Sequence, residues 1–413
     1  MEYKTFRITA LGCRANQYEA QALADQLRAL GCSEAADGES ADVCIVNSCT
    51  VTESADSKSR YLIRQLAKKN PGATIVVTGC MAARIPDLAD RIPEVDHVVP
   101  NTEKERLVSI LFPDIETLPE FAITTFAGHT RAFVKIQDGC NSFCTYCIIP
   151  YVRGRSRSRK VSDIVAEVSA LVDSGYKEVV LTGINIGDFD GGDGSSSLAA
   201  LMRTIDTIGG LERLRLSSID PDDIDDGLYD AIMTCRTSCR SLHLVLQSGS
   251  NGILKKMNRK YTRHDYLDVV ERLRNADPDF TFTTDIIVGF PGETNDDIAD
   301  TIAIVDEVQF VHAHIFPYSD RPGTVASKYG GNVPHRVVQE RKERLAGAAE
   351  RAAYAVRERY VGTTMDVLVE GDGTIGHTDN FLPVTLPAGE KPNTFVAATL
   401  AENSSSAFIG SVV

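Results

Sequence analysis

The sequence predicts an α/β protein in three parts: an N-terminal open parallel α/β sheet, a central partial (βα)6 barrel and a small C-terminal β-barrel. Three observations carry this. Short apolar runs alternate with amphipathic helical stretches, the mark of βαβ units around a parallel sheet. After a stretch holding Pro113, Pro119 and Gly128 the alternation restarts, with six strand-like runs and five intervening helices. Beyond about Tyr360 the helical period gives way to short strand-like runs alone.

In order, residues 6–11 read as a strand and 16–30 as an amphipathic helix, with Ala20, Leu23, Leu27 and Leu30 at helical spacing and Gly31 as a stop. Residues 42–47 and 73–78 read as buried strands around a helix over 54–69 that closes at Asn70-Pro71-Gly72. The weak apolar pattern of 113–130 reads as a linker. The central strands fall at 133–137, 178–182, 214–218, 242–247, 282–288 and 311–316. Helices between them cover 162–174, capped by Ser162 and ended by Gly175, then 198–208, 222–234, 263–275 and 295–308. A charged, alanine-rich helix over 336–357 leads to strands at 365–369, 381–384, 394–400 and 407–410. The expected domains are 1–112, the linker 113–130, 131–358 and 359–413.

Chemistry concentrates where strands end. The three N-terminal strands run into Cys13, Cys49 and Cys80, and ligands of open parallel sheets bind beyond the carboxyl ends of strands. Buried cysteines are also common core residues, so the repeated strand-then-cysteine placement is what singles these out. The first central strand runs into Cys140, Cys144 and Cys147, spaced C-x3-C-x2-C with no fourth cysteine close by. Three thiolates can hold three irons of a [4Fe–4S] cluster and leave the fourth open. A structural zinc wants four closed ligands, so a zinc knuckle or three unrelated thiols is the plainer alternative. Arg153, Arg155, Arg157 and Arg159 follow at once. Arginine forks suit the phosphates that position a nucleic acid, although exposed charge runs are often only solvated. Asp285 reads equally as a site group or a satisfied strand residue. His312 and His314 read as core or rim residues, Cys44 as a strand residue, and Cys32, Cys235 and Cys239 have no partner set.

With 413 residues the chain has room for two or three domains. Its net charge of −14 argues against nonspecific nucleic-acid coating, not against a local basic groove. Ten cysteines in a chain with no apolar signal core or membrane-length apolar run point to metal or redox chemistry in a cytoplasmic protein rather than to disulfides.

The chain resembles the radical S-adenosylmethionine (SAM) methylthiotransferases over nearly its whole length. The resemblance rests on the C-x3-C-x2-C loop, on Leu-Gly-Cys13, Asn-Ser-Cys49 and Thr-Gly-Cys80, and on Gly376-His-Thr-Asp-Asn-Phe-Leu-Pro-Val384, which is similar to the opening of the family's TRAM domain. The run from Lys135 to Arg159 resembles the MtaB-type branch, which acts on N6-threonylcarbamoyladenosine of tRNA, and Gln247-Ser-Gly-Ser250 and Thr284 to Glu293 resemble the tRNA-acting branches generally. This implies two [4Fe–4S] clusters, one on Cys140, Cys144 and Cys147 and one on Cys13, Cys49 and Cys80. It implies SAM in two roles, as radical source and as methyl donor. A deoxyadenosyl radical would take hydrogen from C2 of the adenine, a position beyond acid–base chemistry. Thr182, Gly183, Gln247, Asp285 and Gly289 would contact SAM, with simple turn geometry as the other explanation of the two glycines. The implied partners are the tRNA anticodon stem-loop, a low-potential electron donor and a sulfur source, with no membrane. The alternatives are isopentenyl-adenosine in tRNA, an aspartate of a ribosomal protein, or a noncatalytic iron–sulfur RNA-binding protein. The C-terminal segment is acidic, with Asp366, Glu370, Asp372, Asp379, Glu390 and Glu402 against Lys391, which suits a basic protein partner better than RNA.

Overall fold

The structure is a computed structural model that describes residues 3–126 and 128–413. Strands β1 (Thr5–Ala10), β2 (Ser33–Glu34), β3 (Val43–Ser48), β4 (Thr74–Gly79) and β5 (His97–Val99) form one parallel sheet in the order β2-β1-β3-β4-β5. The three inner strands are those expected; the edges β2 and β5 are too short to carry an apolar signature. Both faces are covered. Phe6, Val43, Ile45 and Val76 pack with Leu23 and Leu27 of the helix Arg14–Ala29, whereas Cys44, Val46, Ile75 and Val77 pack with Ile63 and Leu66 of the helix Glu53–Lys69. Successive strand residues therefore meet opposite helices, which is why these strands read as continuous apolar runs.

The stretch after this sheet is no free spacer. Ile115 and Leu118 pack on the N-terminal core, and Ile123 and Phe126 are buried in the central one, so it straps the two together.

In the central part, β6 (Arg131–Lys135), β7 (Gln137–Asp138), β8 (Arg157–Ser158), β9 (Glu178–Thr182), β10 (Arg213–Leu216), β11 (Ser241–His243), β12 (Thr281–Val288) and β13 (His312–Pro317) follow in sequence. Two parallel sheets, β10-β9-β6 and β11-β12-β13, are joined by the single bridges Leu214↔Ser238 and Ile219↔Leu244. The result is the six-strand partial barrel expected, with β6 and β13 as its edges. Val179, Leu181, Leu214, Phe282, Ile286 and Val288 pack outward on the helices. Alternate residues Glu178, Thr182, Arg213, Arg215, Thr283 and Asp285 face a polar lumen. The outer helices start at capping boxes, Thr262 with Asp265 and Thr294 with Asp297. Ser162 is not a cap: Lys160 holds that position, and the Ser162 hydroxyl donates to Asp163 instead.

The helix His335–Glu358 leads to a closed barrel of β14 (Thr364–Glu370), β15 (Ile375–His377), β16 (Pro383–Thr385), β17 (Phe395–Asn403) and β18 (Phe408–Val412), in the order β14-β15-β16-β18-β17. Its acidity has a structural use. Asp379 binds Arg240 at 2.6 Å and Glu370 binds Arg131 at 3.3 Å. Arg213 and Arg215 donate to the carbonyls of His377, Asp366 and Asp379. The small barrel thus docks on arginines at the N-terminal ends of the central strands.

Candidate active site

The strands β1, β3 and β4 lie side by side in register, Ala10 beside Asn47 and Asn47 beside Thr78. Their exits therefore bring Cys13, Cys49 and Cys80 to one sheet edge. The turns depend on glycine. Gly12 has φ +90°, and a Cβ there would stand 2.8 Å from Cys49 Sγ. Burial pushes the Cys49 thiol up to about 11, and Cys80 and Cys13 add to the rise. Cys13 is exposed, yet protein surrounds it densely enough to raise its thiol as well, so it lines an open recess rather than a convex surface. Asn101 Nδ2 lies 3.8 Å from Cys80 Sγ and donates to the Val152 carbonyl at 2.9 Å.

Beneath these thiols lies a buried ionic cluster. Glu19, on the buried face of the helix Arg14–Ala29, meets Lys104, Lys135 at 2.9 Å and Arg153 at 3.0 Å. Arg153 also binds Asp138 at 2.8 Å and donates to Asn16. Glu19 is held well below the usual carboxylate range: burial opposes this, but Arg153, Lys104 and Lys135 outweigh it. Arg153 is 1% exposed, so the expectation that it meets RNA is corrected: it is a buried strut, and the thiols of Cys80 and Cys13 lie within its field. Arg159 is likewise tied down, donating to Glu167, Tyr18 and the Lys135 carbonyl. Arg155 and Arg157 are exposed, and Arg155 stacks on Phe143 at 4.4 Å.

The second thiol set sits on a loop pinned at its base, where β7 and β8 pair Gln137 with Ser158 and Asp138 with Arg157. The Cys140 amide donates to the Gly154 carbonyl, and Phe143 turns the loop at φ +48°. The Ser142 amide lies 3.4 Å from Cys140 Sγ, and Arg259 Nη1 donates to Cys144 Sγ at 3.1 Å. Burial, reinforced by Cys144, pushes the Cys147 thiol up to about 12. The two sets are neighbours: Cys80 packs against Ile148 and Val152, directly after Cys147.

Both triplets fit a cluster. The Cys49 and Cys147 thiols, raised by burial, are uncharged until a cation meets them. Among the described residues, only His243, Asp285 and His314 place ligand atoms within 4.8 Å of one another. Neither thiol set is drawn in to the spacing of a single zinc, where bonds of about 2.3 Å would set sulfurs about 4 Å apart.

The other expected contacts divide. Gln247, at φ +61°, lies beyond β11 at an isolated bridge to Ile286, and its buried Oε1 has no partner among the described residues, which leaves it open to a ligand. Asp285 faces the lumen 3.4 Å from His243 Nε2. Thr182 is buried, its carbonyl accepting from the Ile136 amide. Gly183 is explained by its neighbours: a Cβ there would crowd Gln137 at 3.0 Å. Gly289 is a packing residue at φ +79°, where a Cβ would meet Val338 at 2.6 Å. Sequence reasoning missed several groups around the loop. Arg259 pairs with Asp220, and Asn185 lies beside Ser142. Asp223 is pushed up to about 7 by burial and by Asp220, Asp222 and Asp188. Their signal was position alone, in loops after β9, β10 and β11. Glu19 had a clearer one, an acid on the helix face that also carries Ala15, Ala22, Leu23 and Leu27.

The chain is 48% identical over 415 residues to the threonylcarbamoyladenosine tRNA methylthiotransferase MtaB of Chlamydia pneumoniae, covering 99% of this chain and 98% of that one. It belongs to the radical SAM methylthiotransferase family. MtaB of Thermotoga maritima is 40% identical over 89% of this methylthiotransferase and 87% of its own length. The tRNA-2-methylthio-N(6)-dimethylallyladenosine synthase of Clostridium perfringens is 38% identical over 90% and 88%. Residues 134–305 match the radical SAM superfamily and 5–100 the uncharacterized protein family UPF0004. The radical SAM methyltransferase TsrM of Kitasatospora setae shares the fold, with a TM-score of 0.56 at 15% identity over 76% of this chain and 73% of that one. No helix among the described residues is long and apolar enough to cross a membrane.

Proposed function

We propose that this methylthiotransferase inserts SCH3 at C2 of N6-threonylcarbamoyladenosine beside the anticodon of tRNA. Near full-length similarity to MtaB supports the substrate. The observation that carries the chemistry is the packing of Cys80 on Ile148, which seats two three-thiol sets next to each other. Cys140, Cys144 and Cys147 would hold one [4Fe–4S] cluster, and Cys13, Cys49 and Cys80 the other. Bound there, the clusters supply one-electron cleavage of SAM and the sulfur to be transferred.

The chain's own groups prepare that site. Among the described residues Lys104, Lys135 and Arg153 pair with Glu19 and Asp138 alone, so one positive charge is left over beside thiols that become anionic on binding metal. Arg259, paired with Asp220, also donates to Cys144. The carboxylates of Asp220 and Asp223 suit the ammonium and ribose hydroxyls of SAM, and the open Oε1 of Gln247 a further hydrogen bond. Thr182 and Asp285 remain candidates for SAM contact by their place on the lumen face. Arg155 and Arg157, exposed beside the loop, would take tRNA phosphates. Electrons would come from a low-potential donor and sulfur from a separate source, in the cytoplasm. The closed C-terminal barrel would be the family's TRAM domain. Because two of its acids are spent on docking, its acidity is no argument for a basic protein substrate.

Anaerobic reconstitution tests the chemistry. Two clusters per chain and deoxyadenosine formed with dithionite are expected; absence of deoxyadenosine rejects an enzyme. Mass spectrometry of tRNA nucleosides from a deletion strain tests the substrate. Persistence of the methylthio-threonylcarbamoyl nucleoside, with no second enzyme able to make it, rejects that reading; loss of a methylthio-isopentenyl nucleoside instead assigns the other tRNA branch.

A further inference from the structure

Arg14 directly follows Cys13 and opens the helix Arg14–Ala29. Its guanidinium reaches over Phe133 of β6, 5.5 Å from the ring centroid. Among the described residues it has no hydrogen bond and no ion pair. Of the two carboxylates within its field, Glu178 is engaged by Arg215 at 2.9 Å, and Asp285 lies 3.4 Å from His243 Nε2 without pairing with Arg14. The Arg14 side chain is half-buried. Arg215 is itself only 5% exposed, and its Nη1 has no partner.

A half-buried guanidinium with neither a hydrogen bond nor an ion pair leaves its donors for a ligand that supplies the charge. The ligand that fits is a planar anion, since guanidinium forks match carboxylates two bonds at a time. It must reach the barrel lumen beside Cys13. Phosphates of an RNA lie on its backbone, whereas the threonylcarbamoyl group carries a carboxylate on the base itself.

We propose that Arg14, with the unpartnered Nη1 of Arg215 nearby, receives the threonyl carboxylate on N6 of the substrate base, and so selects a carboxylate-bearing over an alkyl-bearing adenosine. This rests on the substrate reading above. It gives the base a handle at N6 from which C2 is presented toward the thiol-bearing edge.

The test uses anaerobically loaded protein without reductant and anticodon stem-loop RNAs carrying the threonylcarbamoyl group, its carboxamide analogue or an isopentenyl group. Wild type is expected to bind the carboxylate RNA about ten- to a hundred-fold more tightly than the carboxamide. Arg14→Gln should bring that ratio within about three-fold, and Arg14→Lys should keep part of it. Iron and sulfide content, measured first, separates a lost receptor from a damaged cluster. Equal affinities in wild type overturn the inference even if Arg14→Gln fails to load. So does an unchanged ratio in a loaded Arg14→Gln, or a raised KM for SAM with the ratio intact. If wild type makes no methylthio product from the carboxylate RNA, the substrate reading has failed; if product forms but the affinities are equal, the receptor has failed.

Discussion

The two thiol sets are built in opposite ways. Cys140, Cys144 and Cys147 share one short loop, held by a two-residue strand pair and by Arg259. Cys13, Cys49 and Cys80 come from three separate strand exits, held by sheet register and by a buried ionic cluster that spans both parts of the molecule. Glu19 belongs to the N-terminal part and Arg153 to the central one, so the dispersed site exists only where the two parts dock. A local site needs a good loop; a distributed one needs the whole interface.

The sharpest way to separate the two is a pair of alanine variants. Cys140→Ala should abolish both methylthiolation and deoxyadenosine formation, leaving the iron of one cluster, whereas Cys49→Ala should abolish methylthiolation but keep deoxyadenosine formation. Iron analysis and product chromatography check this, and equal loss of deoxyadenosine in both would erase the proposed division. Next in size, Glu19→Gln leaves three buried cations without their shared anion. It should cost about 3–5 kcal/mol in chemical denaturation and remove iron from the dispersed site before the loop.

A third test uses acid. The folded pKa of Glu19 lies below its unfolded value of about 4.3, so its ionised form stabilises the fold above that pH, and the contribution is lost as pH falls through the folded value. The stability gap between wild type and Glu19→Gln should therefore be full at pH 7 and shrink only below about pH 4.3. A gap that closes already at pH 6 would assign the cost to something other than this charge. The smallest effects are expected at the exposed arginines. Arg155→Ala and Arg157→Ala should each shift stability by no more than about 0.5 kcal/mol and each reduce the salt slope of tRNA binding by about 1. Arg153→Ala should instead unfold like Glu19→Gln, because it is buried.

Legibility followed the same divide. The loop cysteines were readable because their spacing is local, and the dispersed ones because each ends an apolar strand. The four arginines after the loop looked alike in sequence, yet two are exposed and two are tied inward, since whether a charge meets solvent depends on what packs over it. Gly289 looked like a site residue and proved to be a contact with Val338, some fifty residues onward along the chain. The acidic C-terminal segment was the most misleading signal. Its partners, Arg131 and Arg240, lie more than a hundred residues upstream and show no pattern linking them to it.

By itself the sequence determined the three-part architecture, the six central strands and the six cysteines, because apolar periodicity and strand-end placement are local properties of the chain. Only the tertiary structure decided that Cys80 sits against the loop, that Arg153 is a strut rather than an RNA contact, and that Arg14 lies over Phe133 with no ion pair among the described residues. Those outcomes depend on which charges end up facing each other after burial, and burial is settled by packing between segments far apart in sequence.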